Sequence, residues 1–87
     1  MQHSIEAYKR LNITATNATL KNGGVLGGIF VASASNTPTI KVEDSAGTIV
    51  DTFTPAAATW YRIPAEWSGT LTITIGGTVN CTVFFRK

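Results

Sequence analysis

Apolar and polar residues alternate along most of the chain with a period of two, beginning at Leu11. The clearest run is Thr70-Leu-Thr-Ile-Thr-Ile75, in which every second residue is a threonine. Such alternation is typical of β-strands that bury one face. Gly, Pro, Asn and Asp, which favour turns, separate the runs. The pattern predicts about seven short strands, at residues 11–16, 25–34, 39–43, 48–54, 59–63, 70–75 and 78–85.

Short strands with turn signals every 8–12 residues or so and no helical stretch predict an all-β fold. We expect a single small β-sandwich of about seven antiparallel strands, in a jelly-roll-like or Greek-key arrangement. The pattern does not separate these arrangements from an immunoglobulin-like one, or a sandwich from a barrel. Residues 1–10 lack the period and are predicted to form an N-terminal arm, and residues 11–87 to form the β-sandwich domain.

The last two predicted strands flank Gly76-Gly77, which indicates a hairpin. A three-residue loop at 75–77 would place Ile73 opposite Val79 and Leu71 opposite Cys81, so that one face is wholly apolar. The other face then carries only Thr and Asn. It is either an ordinary solvated face or, because it holds no charge, a surface that another subunit covers. We favour the second interpretation. This Thr/Asn strip consists of Thr70, Thr72, Thr74, Thr78, Asn80 and Thr82.

The composition narrows the function. With 87 residues the domain is near the lower size limit for folding alone, and only 14% of its residues are charged. Cys81 is the single cysteine and His3 the single histidine, so an intrachain disulfide and a Cys/His metal cluster are both excluded. Small domains without such supports often gain stability from a partner, which favours oligomerisation or docking on a larger body. We predict no cofactor.

The charge pattern bears on partners and location. The net charge is only +2, and the seven basic residues are scattered along the sequence, so we expect no nucleic-acid partner. No apolar run approaches the length needed to span a bilayer, and Met1–Arg10 lacks the apolar core of a signal peptide. We therefore expect no membrane partner, and synthesis in a cytoplasm.

Other groups could carry chemistry but have simpler interpretations. Glu43, Asp44 and Asp51 could bind calcium, although an exposed hairpin tip explains them better. Cys81 falls on the apolar face and is interpreted as core rather than as a nucleophile. The pairs Gly23-Gly24 and Gly27-Gly28 lack the Lys-Ser/Thr of a phosphate loop and are interpreted as turn and bulge residues. We therefore predict that the protein is not an enzyme.

Three aromatic residues, Trp60, Tyr61 and Trp67, lie close together around Pro64. They could form a platform for a sugar ring, or they could serve core packing and an interface with another protein. Alternation places Trp60 and Tyr61 on opposite faces, so that at most one of them packs in the core. We favour packing and interface, and we add all three residues to the Thr/Asn strip as the predicted interface.

Five segments follow one another in a characteristic order: Leu20-Lys-Asn-Gly-Gly-Val-Leu-Gly-Gly28, Thr39-Ile-Lys-Val-Glu-Asp44, Ile49-Val-Asp-Thr-Phe-Thr-Pro55, Ser68-Gly-Thr-Leu-Thr-Ile-Thr-Ile-Gly-Gly-Thr78 and Cys81-Thr-Val-Phe-Phe-Arg86. Their order resembles that of a group of short structural proteins of tailed bacteriophages and prophages. The resemblance extends over about three quarters of the chain, from the first of these segments to the last. Such proteins are similar in character to head decoration, or cement, proteins, which are β-sandwiches that commonly form trimers on the outer capsid.

The resemblance implies a non-enzymatic capsid decoration protein that binds and stabilises the outer shell. Its expected partners are the major capsid protein and itself, as a homotrimer. Its expected location is the capsid surface of the virion, after synthesis in the host bacterial cytoplasm. The alternative is a carbohydrate- or receptor-binding module of a phage tail fibre or spike, using the three aromatic residues. A tail or head–tail connector component is a third hypothesis.

Overall fold

The computed structural model describes residues 8–14 and 17–87, which contain no helix and hence none that could cross a membrane. The described strands are antiparallel and form one curled sheet. They are β1 Lys9–Ile13, β2 Ala18–Leu20, β3 Gly24–Asp44, β4 Gly47–Phe53, β5 Thr59–Trp67 and β6 Leu71–Arg86. The predicted all-β class is confirmed. The finer prediction of a jelly-roll-like or Greek-key sandwich stays a prediction.

The N-terminal boundary differs slightly from the expected one. β1 starts at Lys9, two residues before the start that the alternation predicts, so Lys9 and Arg10 belong to the sheet. Residues 1–7, which make up most of the predicted arm and include His3, lie outside the described residues.

Two long strands, β3 and β6, form the centre of the sheet. They pair with each other from Val25–Arg86 at one end to Glu43–Thr72 at the other. Each of them joins two segments that the alternation predicts as separate strands. The four shorter strands pair with β3 or β6 and not with one another.

The short strands divide the sheet into two halves. The first half-sheet has the order β1-β6-β3-β5 and uses the C-terminal part of β6 with the N-terminal part of β3. The second half-sheet has the order β2-β6-β3-β4 and uses the remaining parts of the same two strands. Each half therefore has one short strand at each of its edges.

The connection between β5 and β6, residues 68–70, ties the two ends of β3 together. The backbone N–H of Gly23 donates to the carbonyl of Gly69 at 2.9 Å, and the N–H of Ser68 donates to a carboxylate oxygen of Asp44 at 2.9 Å. A straight strand of this length would span about 70 Å. The longest dimension of the protein is only 43 Å, so β3 must bend strongly.

The bend lies where the pairing of β3 with β6 is irregular. Ser35 pairs with Thr78 and Thr39 with Gly76, so three residues of β3 face the single residue Gly77. Gly77 has a φ of 77°, which favours glycine. These extra residues form a bulge, and a bulge bends a strand and increases its twist.

Two sequence predictions about this region are wrong. Residues 35–38, which the alternation places between two separate strands, do not form a connection but the bulged part of β3. Residues 75–77 do not form a hairpin loop, because β6 runs through them without reversing. Leu71 therefore does not pair with Cys81, nor Ile73 with Val79. The error has a physical cause: a glycine pair permits a bend within a strand as well as a reversal between two strands.

The predicted end of a strand at Pro64 is also wrong, because β5 continues to Trp67. Proline lacks the N–H group that a central strand would need for its second neighbour. Within the described residues β5 has a neighbour, β3, on one side only, so its proline is tolerated there. The continuation brings Trp67 into register with Gly24.

Both half-sheets contribute to one buried cluster, which fills the inside of the curl. Within the described residues no polar or charged side chain is buried. Along β6 every odd-numbered residue from Leu71 to Phe85 except Ile75 and Gly77 is buried. The odd-numbered residues of β6 therefore face inward on both sides of the bend. The cluster consists of Ile13, Leu26, Ile29, Val31, Ile40, Val42, Ile63, Trp67, Leu71, Ile73, Val79, Cys81, Val83 and Phe85.

Asp44 accepts hydrogen bonds that stabilise its ionised form. The backbone N–H of Ser68 has the largest effect and, together with those of Ala46 and Gly47, holds the pKa of the Asp44 carboxyl below its ordinary value. A carboxyl whose pKa is lower in the folded state stabilises that state above its unfolded pKa. This contribution is lost as the pH falls through the folded pKa.

We therefore expect the free energy of unfolding of Asp44→Asn to fall less than that of the unsubstituted protein as the pH falls below 3.8, the ordinary pKa of the group. The free energy of unfolding, measured by urea titration at several pH values, checks this. Asp51→Asn is the control, because among the residues that the structure describes the carboxylate of Asp51 accepts only a local bond from its neighbour Thr52. Equal pH dependence of the Asp44→Asn protein and the unsubstituted one would contradict the role of Asp44.

Candidate functional site

The Thr/Asn strip lies along the outer face of β6, but its members have different surroundings. Near the first half-sheet, the amide nitrogen of Asn12 donates to Asn80 Oδ1 at 2.9 Å and to Thr82 Oγ1 at 3.2 Å. Thr78 is exposed beside the bend. Thr70 precedes β6, and its backbone N–H donates to the Ser45 hydroxyl at 3.1 Å.

The outer face around the strip carries charge, contrary to the sequence interpretation. Thr74 and Thr72 pair with Lys41 and Glu43 of β3, which form an ion pair at 3.2 Å. The alternation within β6 could not show this, because the charges come from the neighbouring strand. The strip is therefore an uncharged row one strand wide.

Trp67 belongs to the core and is only 2% exposed. Its ring packs edge-on against Phe85, with 6.1 Å between the ring centroids. Gly24 makes room for it, because a Cβ at Gly24 would lie 2.6 Å from the indole ring. Its buried position excludes Trp67 from direct contact with a partner or a sugar.

Tyr61 is half-buried and supports the connection between β4 and β5. Its ring packs against Phe53 at a centroid distance of 5.1 Å, and its hydroxyl accepts a hydrogen bond from the Ala56 N–H at 2.8 Å. We assign Tyr61 mainly to local structure, as its hydroxyl and one side of its ring are already engaged.

Trp60 differs from both, since it points outward from β5 and is 48% exposed. Its ring meets Phe84 of β6 edge-on, with 5.6 Å between centroids, and Phe30 of β3 is its partner across the strands. Tyr8, which precedes β1, lines the same shallow groove of about 490 Å³. We call this surface the aromatic patch; it consists of Tyr8, Gly27, Phe30, Trp60, Arg62 and Phe84.

The glycine pair in β3 shapes the floor of the aromatic patch. A Cβ at Gly27 would lie 2.7 Å from the ring of Tyr8, and one at Gly28 would lie 2.8 Å from the ring of Trp60. A Cβ cannot lie so close to a ring carbon, so both rings pack directly against the backbone of the two glycines. The glycines interrupt the strand pattern because the rings occupy the space that side chains would fill.

Basic side chains surround the aromatic rings. Arg62 lines the groove, and Arg10 pairs across the strands with Phe84. The guanidinium of Arg86 lies 5.7 Å from the centroid of the Tyr8 ring, a distance at which a cation is attracted to an aromatic face. Tryptophan, tyrosine and arginine are the residue types that contribute most to protein interfaces.

The sequence predicted only one member of the aromatic patch, Trp60. Phe30 and Phe84 were missed, although alternation places each outward because its neighbour, Ile29 or Phe85, faces inward. Their proximity to Trp60 depends on the pairing of three strands, and the sequence pattern does not reveal that pairing.

The residues considered for catalysis or metal binding do not form a reactive centre in the part of the chain that the structure describes. Burial raises the pKa of the Cys81 thiol to about 11, so the thiol stays protonated at neutral pH. No group of three or more His, Cys, Asp or Glu side chains converges within residues 8–14 and 17–87. Asp44 instead caps the turn between β3 and β4.

No protein-family model, curated protein or solved structure matches this chain.

Cys81 is expected to resist thiol reagents in the folded protein at neutral pH, because the thiol is buried and protonated. Labelling by a coloured disulfide reagent should be slow in buffer and fast in denaturant, with free cysteine as the control. Rapid labelling of the folded protein would contradict the assignment of Cys81 to the core.

The two tryptophans should differ in accessibility. In a Trp67→Phe variant the remaining Trp60 is expected to be quenched readily by iodide, whereas in Trp60→Phe the remaining Trp67 should be shielded. Trp67→Phe should also lower stability by about 1–3 kcal/mol, since it removes buried volume, and Trp60→Phe by much less. Stern–Volmer slopes and urea unfolding measure both effects. Equal quenching in the two variants would contradict the placement of these rings.

Proposed function

We propose that this protein is a non-enzymatic structural protein that works by docking on other proteins, and specifically a phage capsid decoration protein. The observation that carries the docking function is the aromatic patch. Phe30, Trp60 and Tyr8 are all large exposed apolar side chains, and they lie together on one outer face. Contiguous apolar surface of this kind marks interaction sites in soluble proteins.

The aromatic patch is well suited to binding because its parts are already in place. Trp60 and Phe84 hold each other edge-on, and the glycine pair fixes the height of the rings above the sheet. A partner therefore need not order flexible side chains, which lowers the entropic cost of association. Arginines at the rim add hydrogen-bonding capacity and orientation.

The assignment to a capsid rests on the resemblance of the sequence segments to short phage structural proteins. In this proposal the partners are the major capsid protein and further copies of the chain, assembled as a homotrimer on the virion surface after synthesis in the host cytoplasm. A capsid offers the same contact many times, so linked copies bind well even when each contact is weak. Binding to the shell would also stabilise the small domain by mass action.

A second candidate function is carbohydrate or receptor binding by a tail fibre or spike module. The exposed ring of Trp60 beside the groove favours it, since sugars stack on such rings. Trp67 is buried and Tyr61 is engaged in local packing, so Trp60 with Tyr8 would have to form the platform. Arg62 could supply the polar contact.

Trp60→Ala is expected to reduce binding to empty capsids of the encoding phage or prophage about thirty-fold, which corresponds to about 2 kcal/mol for a central interface aromatic. Co-sedimentation with capsids across a range of protein concentrations measures this. Thr54→Ala is the matched control, since Thr54 is exposed just after β4 and lies outside the aromatic patch.

The outcomes separate the two functions. Loss of capsid binding in Trp60→Ala but not in Thr54→Ala supports docking through the aromatic patch. If the unsubstituted protein binds no capsid but binds a glycan on an array, and loses that binding in Trp60→Ala, the decoration function is wrong and the carbohydrate function replaces it.

A further inference from the structure

The charges of the protein separate between the two half-sheets, although the sequence shows them scattered. In the strands of the first half-sheet the basic residues exceed the acidic ones, and in those of the second the acidic ones are in excess. The first half carries Lys9, Arg10, Arg62 and Arg86 with Glu66; the second carries Lys41 with Glu43, Asp44 and Asp51.

The excess charges lie next to two contrasting outer surfaces. Arg62 belongs to the aromatic patch, and Arg10 and Arg86 lie beside it. On the second half-sheet, cross-strand pairing gathers a flat surface that we call the back surface. It consists of Thr19, Lys41, Glu43, Thr48, Thr72 and Thr74.

The two surfaces differ in side-chain type and in charge: arginines lie at the aromatic patch, whereas the back surface holds the Lys41–Glu43 ion pair with the acidic Asp51 near its edge. Four of the six residues of the back surface are threonines and none is a large exposed apolar group, so threonine methyl groups can contact aromatic rings. Asp51 is exposed at a bulge of β4, and within the described residues its carboxylate accepts only the N–H of Thr52 at 2.7 Å. Opposite charges across an interface favour association and fix its orientation.

We propose that the aromatic patch of one copy of this chain docks on the back surface of a second copy, in a head-to-tail contact. Because the contact joins two different surfaces, every copy still offers one free surface to the next. Such heterologous contacts close into a ring or continue as a row, according to the angle between the two surfaces. The inference rests on the proposed function and assigns the aromatic patch to the self-contact, so that Trp60→Ala weakens capsid binding by dividing the multivalent assembly. Purified protein tests the self-contact separately from capsid binding.

This contact gives the Thr/Asn strip a specific neighbour. Thr72 and Thr74, the members of the strip on the second half-sheet, lie in the back surface between β2 and the Lys41–Glu43 pair. Thr78, Asn80 and Thr82 lie beyond it, toward the bend and the first half-sheet. The strip would thus be covered at one end by aromatic rings of the neighbouring copy.

Charge reversal tests the proposal. A patch variant, Arg10→Glu with Arg62→Glu, and a back variant, Glu43→Lys with Asp51→Lys, are each expected to shift self-association to at least tenfold higher protein concentration. The variant that combines all four substitutions should recover association, because both surfaces are reversed together. Sedimentation velocity over a concentration series measures the association, and circular dichroism confirms that each variant is folded.

The control reverses charge outside both surfaces. Lys21→Glu with Lys87→Glu changes the net charge as much as the patch variant does, at the backbone contact where Lys87 reaches the carbonyl of Lys21. It should leave self-association nearly unchanged, which separates a local effect from a change in total charge. Added salt should weaken the unsubstituted contact.

Three results would overturn the inference. A folded protein that stays monomeric at all concentrations, yet sediments with capsids, would assign the aromatic patch to the capsid and leave the proposed function standing. Stronger association in the patch variant would show that two aromatic patches pair with each other. If self-association is lost equally in the patch variant and in the combined variant, the back surface is not the partner of the aromatic patch.

Discussion

The antiparallel pairing of β3 with β6 is the interaction on which the rest of the structure depends. The two strands run beside each other through both half-sheets, and every shorter strand hydrogen-bonds to one of them. Because the pair bends at the bulge opposite Gly77, its two halves share one core. The described strands thereby bury apolar residues on the inner side of a single curled sheet, whose two halves cover each other.

The connection at residues 68–70 holds this curl in place. It binds Gly23 just before β3 and Asp44 at its end, so the start and the finish of one strand are fixed against the same short segment. A bent sheet without such a tie could open by flexing at the bulge. The hydrogen bonds of this connection are polar contacts near the surface, and the buried cluster supplies apolar contacts inside the curl. Both stabilise the same bend.

The sequence was sufficient to predict which side of β6 faces inward, because alternation is a local property. The parity of Leu71, Val79 and Phe85 is correct even though the hairpin predicted between them is wrong. The pairing of strands depends on residues far apart in sequence, and a glycine pair is compatible with both a bend and a reversal. The aromatic patch was hidden for the same reason, since Tyr8, Trp60 and Phe84 meet only after the sheet forms.

The place of β6 in the sheet also bears on the order in which the described strands can pair. β6 follows the other described strands along the chain, and it pairs with β1, β2 and β3. Until β6 has left the ribosome, β1 and β2 have no hydrogen-bonding neighbour among the described strands, and one side of β3 is open. Most native contacts of the described residues join residues distant in sequence, which slows folding and leaves strand edges unpaired during synthesis. Among the described strands, the pairing of β1, β2 and the open side of β3 therefore waits for the sixteen-residue β6.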